Sequence, residues 1–162
     1  MAGNPTLKVA VILSRESVDS RWESHRWQLL GVVPDVGGAP RTLVDEGAVR
    51  QRLYPGLEVT LFNDEAEGYF LNVSSEEPSV FVSIRQGEAD EEPYPFQCTV
   101  SYNEAARWMD GSEKVERAPA WPGLVEWIQA WVGVHYRPEP RRRQRPQSFA
   151  GKEGVLREEG EQ

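Results

Sequence analysis

The chain has one cysteine, Cys98, among its 162 residues. An internal disulfide is therefore excluded, and so is a structural zinc site built from several cysteines. Histidine is almost as scarce, with only His25 and His135 present. A Ser-His-Asp or Cys-His device has to use one of these two, and neither lies in a sharp strand-to-helix nucleophile turn. The sequence has no P-loop, no dinucleotide-binding glycine pattern and no zinc-ligand spacing. No apolar run approaches membrane-spanning length, and the start Met1-Ala2-Gly3-Asn4 lacks the charged-then-apolar pattern of a secretory signal. These scarcities lead to the expectation of a non-enzymatic, cytoplasmic protein with no metal, no cofactor and no membrane contact.

Acidic residues, proline and glycine are what the chain has in quantity. Twelve prolines and fourteen glycines, with 39% hydrophobic and 27% charged residues, suit one turn-rich, strand-heavy domain over residues 1–136. The net charge of −8 is uneven, because seven basic and five acidic residues follow from Arg137 onward and leave −10 on residues 1–136. A body that acidic repels phosphate backbones, so nucleic acid is an unlikely partner for it. Residues 137–162 are rich in Arg, Pro, Glu, Gly and Gln and are expected to form a disordered basic and acidic tail. Within it, Arg141, Arg142, Arg143 and Arg145 make a compact basic patch, better suited to an acidic protein partner than to nucleic acid.

The strongest periodic pattern runs from Leu57 to Arg85, where three apolar-polar alternating runs are separated by two acidic turns. Period two predicts an antiparallel meander of three strands. Leu57, Val59 and Leu61 then share a face with Tyr69, Leu71 and Val73 and with Val80, Val82 and Ile84. The opposite face carries Phe62, Phe70 and Phe81, which predicts either a second packed layer or a partner surface. The turn Asn63–Gly68 holds three carboxylates, but its spacing is not that of a calcium loop, and it reads as a structural turn.

Leu7–Leu13, nearly continuous in apolar character, predicts a central strand covered on both faces, and Arg26–Val33 predicts a second strand. Arg41–Val44 suits a short strand, and Asp45–Tyr54 one or two helical turns, with Tyr54-Pro55-Gly56 turning into the meander. Phe96–Val100 reads as a strand. Ser101-Tyr102-Asn103-Glu104 is a capping box opening a short helix that Gly111 closes. A second helix starts at Pro122, carries Leu124, Trp127, Ile128, Trp131 and His135 at three- and four-residue steps, and stops before Pro138. The expected fold is mainly β (α+β): a bent antiparallel sheet or partly open barrel of about six or seven strands, covered by two C-terminal helices.

Between the first two strands, Arg21-Trp22 and Arg26-Trp27 recur five residues apart. Such a surface can hold an anion or stack a planar ligand through cation–π contact; alternatively, the tryptophans anchor the loop while the arginines pair with the acidic body.

Several strings together carry a resemblance. They are Arg21-Trp22 and Trp27 with Gly31-Val32, Phe62–Tyr69 with Leu71-Asn72, Val100–Arg107 with Met109-Asp110, and His135–Pro140 before a basic run. Over residues 7–145 the chain resembles a bacterial domain-of-unknown-function family. Its genes typically sit beside those for molybdenum- or tungsten-dependent formate dehydrogenases and their maturation factors. The resemblance implies an accessory or maturation protein that binds a formate dehydrogenase subunit or its maturation factors, and it supplies no catalytic residues. A second expectation is a binder of an anionic pterin or nucleotide, using Arg21, Arg26 and the nearby tryptophans. A third is nucleic-acid binding through the arginine-rich tail.

Overall fold

The computed structural model describes residues 3–17, 25–88 and 91–138. Seven strands and three helices follow in the order β1 (Thr6–Ser17), β2 (His25–Pro34), β3 (Arg41–Glu46), β4 (Val49–Thr60), α1 (Ala66–Val73), β5 (Ser79–Arg85), β6 (Tyr94–Thr99), α2 (Tyr102–Asp110), β7 (Lys114–Pro119) and α3 (Pro122–His135). A one-turn 3-10 helix, Asn63–Glu65, leads into α1. The strands form two antiparallel sheets, a four-stranded one in the order β2-β1-β4-β3 and a three-stranded one in the order β6-β5-β7.

The expected mainly β class and strand number hold, and the strands divide between two sheets with no closed barrel. Side chains bridge the two flanks: the Leu29 N–H donates to Glu116 of β7 at 2.8 Å. On the other side, the Cys98 thiol of β6 donates to the Glu58 carbonyl of β4 at 3.5 Å. Inside, Val9, Val11 and Leu13 of β1 meet Val80, Val82 and Ile84 of β5, and Leu124, Ile128 and Val132 of α3 join the same core. β1 is central, as its apolar run implied, and is buried on both faces, since Ala10 and Ser14 are as inaccessible as Val9 and Val11.

The meander from Leu57 to Arg85 is corrected. Its outer runs are strands, the end of β4 and β5, but the middle run, Tyr69–Val73, is helical within α1. Over eight residues the two periods overlap: Tyr69 and Val73 satisfy an alternation and also an i, i+4 step. Burial separates them, because Ala66, Tyr69 and Asn72 are buried at helical spacing while Leu71 is 42% exposed.

Asp45–Tyr54 is also corrected, from helical turns to the β3–β4 hairpin. Tyr54-Pro55-Gly56 is no chain-reversing turn but a bulge inside β4, where pairing with β1 shifts between Val9 and Val11. Gly56 takes φ +88 there, and its N–H donates to Asp35 at 2.9 Å. A proline and a left-handed glycine interrupt the ladder at a point where the strand bends, so β4 continues past them. Strand β7, on which the sequence patterns were silent, completes the second sheet.

The two expected C-terminal helices are α2 and α3. Pro122 opens α3, and Leu124, Ile128 and Val132 form its buried stripe. Trp127 and Trp131 pack partly buried against the core, with Trp131 edge-on to Tyr69 at 5.4 Å. Among the described residues, no helix is long and apolar enough to cross a membrane.

Burial also sets an alkaline limit on this fold. The Tyr69 phenol is pushed up from its ordinary 10.0 to about 12 by burial, and burial likewise pushes the Cys98 thiol from 9.0 to about 12. Between the ordinary and raised values the folded chain keeps protons that the unfolded chain releases. Stability is therefore full below pH 9.0 and falls as pH rises toward about 12. Urea midpoints measured from pH 8 upward should decline above pH 9.0. Tyr69→Phe should remove the share of that decline beginning at pH 10.0. At neutral pH it should cost about 1–2 kcal/mol, because the hydroxyl accepts from Phe62 N–H and donates to the Thr60 carbonyl. A midpoint flat through pH 11 would contradict both assignments.

Candidate functional site

The residues nominated from sequence do not converge on one place. Arg21 and Trp22, and in the tail Arg141, Arg142, Arg143 and Arg145, lie outside the described residues, as does the tail beyond Pro138. Arg26 and Trp27 are neighbours in β2 and so point to opposite faces. Trp27 packs inward against the core, whereas Arg26 is exposed on the other side.

The shared phenylalanine face does not exist, because α1 removes its middle strand. Phe81 is buried on β5, edge-on to Tyr102 of α2 at 6.0 Å, with the Arg117 guanidinium 5.5 Å from its ring. Phe70 stands on α1 and stacks on Tyr136 at 4.9 Å. Phe62 precedes the 3-10 turn. Phe62 and Phe70 remain 42% and 38% exposed. Phe81 is thus scaffold beneath α2, and the other two stay available at the surface.

The structure instead joins two of the sequence blocks that carried the resemblance, Phe62–Tyr69 and Val100–Arg107. Ser101 caps α2 as predicted, its Oγ accepting from the Glu104 N–H at 3.0 Å. The return half of the capping box runs through Thr99. Its hydroxyl donates to the Glu104 carboxylate at 2.5 Å and accepts from the Ser101 N–H at 3.0 Å. The Ser101 hydroxyl itself donates to Glu65 at 2.7 Å, Arg107 pairs with the same carboxylate, and Asn103 donates to Glu67 at 3.2 Å. Beneath this joint the buried Asn72 donates to the carbonyls of Ser79 and Val100 at 2.8 and 3.0 Å and accepts from the Ser79 N–H at 2.9 Å. Ser101 is fully buried and its proton is committed to Glu65, so it offers a substrate no nucleophile. Asn63–Gly68, a 3-10 turn running straight into the first turn of α1 rather than a turn between strands, holds α1 against α2, and among the described residues no cluster of His, Cys, Asp and Glu is placed to hold a metal.

A second constellation lies at the Val49 end of β4, away from the Thr60 end whose carbonyl Tyr69 bonds. Arg15 of β1 pairs directly with Arg50 of β4 and with Trp27 of β2, and Arg52 stands opposite Leu13 on the same inward face. Arg50 bonds Asp45 at 2.9 Å and Glu92 at 2.8 Å. Arg52 bonds the Thr42 hydroxyl at 2.8 Å and lies 3.9 Å from Glu92. The Arg15 guanidinium stands 5.9 Å from the Trp27 ring. Tyr54 beside them donates to the Pro93 carbonyl at 3.4 Å.

Pro93 also lines a cavity of about 300 Å³ with Ile84, Arg85, Gln86, Ser112, Glu113 and Lys114. In it, hydrogen bonds from Arg85 and Ser83 hold the Glu113 carboxyl below its ordinary range.

A profile described as "Protein of unknown function (DUF3305)" matches residues 8–145. The chain belongs to the DUF3305 family. No match was found among curated proteins or solved structures. Within the DUF3305 match fall both the α1–α2 joint and the three inward arginines. A helical Asp45–Tyr54 separates positions 50 and 52 by about 200° and hides them as a pair. Read as a strand, Arg50-Gln51-Arg52 places both guanidinium groups on one face.

Proposed function

We propose that the chain is a non-catalytic accessory protein of the bacterial cytoplasm. It binds a polypeptide of a molybdenum- or tungsten-dependent formate dehydrogenase, or one of its maturation factors. The observation that carries this reading is the exposed apolar rim of α1, where Phe62, Phe70 and Leu71 are 42%, 38% and 42% exposed within ten residues. Single exposed apolar side chains are ordinary, but three large ones within ten residues around one short helix concentrate apolar surface of the kind partners bury. Their support is stiff. Glu65 is tied to Ser101 and Arg107, Asn72 to Ser79 of β5 and to Val100 just past β6, and Phe70 is stacked on Tyr136. The resemblance noted from the sequence supplies the kind of partner.

Co-purification of the tagged full chain from its host tests the reading. An oxidoreductase subunit or maturation factor should be recovered, and Phe62→Ala, Phe70→Ala and Leu71→Ala together should reduce recovery about tenfold or more at an unchanged circular-dichroism spectrum. Repeated recovery of the chain without either, or equal recovery by the triple variant, would sink the proposal.

A further inference from the structure

We infer that the inward face formed by Arg15, Arg50 and Arg52 is a binding site for a phosphate-type oxyanion, free or carried as a monoester. The placement is the first reason. Residues 1–136 carry a net −10, yet two arginines stand directly opposite each other on neighbouring strands with a third two positions on. Like charges in a direct cross-strand pair oppose folding, so packing alone does not call for this arrangement.

Unmet hydrogen-bonding capacity is the second reason. A guanidinium carries five N–H donors and no acceptor. Among the described residues Arg15 meets no carboxylate and only the face of Trp27, and the Nε groups of Arg15 and Arg52 are buried without an acceptor. Among the described residues, the one carboxylate offered to both Arg50 and Arg52 is that of Glu92, which reaches in from the segment before β6 and sits 3.9 Å from the Arg52 Nε. Glu92 thus acts as an internal stand-in that leaves donors on Arg15 and Arg52 unfilled.

The ligand class follows from geometry. A carboxylate presents two oxygens in one plane, enough for one guanidinium fork. A tetrahedral oxyanion presents acceptors in several directions at once, which three arginines on two adjacent strands require. Arg50 and Arg52 side chains are 23% and 24% exposed, so a solute can reach them, while their partial burial keeps the attraction from being fully screened.

Calorimetric titration of the full chain with inorganic phosphate and with adenosine monophosphate, at ionic strength held constant by chloride, tests the site. Saturable binding at a Kd of about 1 mM or tighter is expected. Tighter binding of the monoester marks a phosphorylated metabolite as the natural occupant, and tighter binding of phosphate marks the free ion. Arg15→Gln and Arg52→Gln should each weaken binding about tenfold, the worth of a charge-assisted bond. Glu92→Gln should instead tighten it by removing the internal competitor. That gain separates a binding site from a structural ion-pair cluster, and it stays readable if an arginine variant folds poorly. Absence of saturable heat in both the native and Glu92→Gln proteins overturns the inference, as does unchanged affinity in Arg15→Gln.

Discussion

Asn72→Leu is expected to be among the most damaging single substitutions in this chain, lowering the free energy of unfolding by about 4 kcal/mol. The side chain is 1% exposed and makes three bonds to the backbone, two to Ser79 and one to Val100. It serves as a short piece of strand, closing the side of Ser79 turned away from β7 and the exit of β6, beyond the Phe81–Thr99 pair where the β5–β6 ladder ends. Leucine fills similar space but leaves an N–H and two carbonyls buried without partners, at about 1–3 kcal/mol each before any relaxation. Against a total stability of about 5–15 kcal/mol for an ordinary domain, that is a large fraction.

Asn72→Asp sharpens the test. Its carboxylate can still accept from the Ser79 N–H, but it then faces two carbonyl oxygens that the native amide reaches at 2.8 and 3.0 Å. The acid form is favoured in the fold, so the carboxyl is raised above its unfolded value. The variant should be most stable in acid and lose stability as pH rises from about 4. Urea melts at pH 4 and pH 7 give both results. A leucine variant within 1 kcal/mol of the native protein would mean that the three backbone groups find other partners.

Gly68→Ala should destabilise by about 3 kcal/mol, although helix propensity alone argues the other way. Alanine is favoured over glycine inside a helix by roughly 1 kcal/mol. Space decides the sign: a Cβ at Gly68 would lie 2.1 Å from the Ser101 Oγ, 3.1 Å from its Cβ and 3.2 Å from the Asn103 backbone nitrogen. The helices must part, breaking the Ser101–Glu65 bond and disturbing the cap on α2. Ser101→Gly should be a partial rescue, since it removes the two closest atoms and glycine is only a few tenths of a kcal/mol worse than serine as an N-cap. A double-mutant cycle on positions 68 and 101 is therefore expected to show coupling of at least about 1 kcal/mol. Additive effects would mean that α1 and α2 do not meet through this contact.

Legibility in the sequence followed the length and one-sidedness of each pattern. The apolar run of β1, the Ser101 cap and the Pro122 start of α3 are local signals read at their own positions, and the structure places each where expected. Tyr69–Val73 was ambiguous because eight residues contain too few turns to separate a period of two from one of 3.6. Arg50 and Arg52 were invisible as a pair for the same reason, since a wrong period sends side chains two apart to different faces. Proline and glycine at 55 and 56 suggested a chain reversal, and only the pairing of β4 with β1 on both sides shows a bulge.

The amino-acid sequence by itself determined the mainly β class, the approximate strand number, the caps and stops of the last two helices and the uneven charge. All of these depend on residues close together along the chain. Tertiary structure alone decided which distant blocks meet. It set Gly68 against Ser101, covered Phe81 with α2 while leaving Phe62 and Phe70 exposed, and gathered Arg15, Arg50 and Arg52 on one inward face. The physical reason is that long-range contact depends on strand order and register, which arise from the packing of the whole core rather than from any one segment.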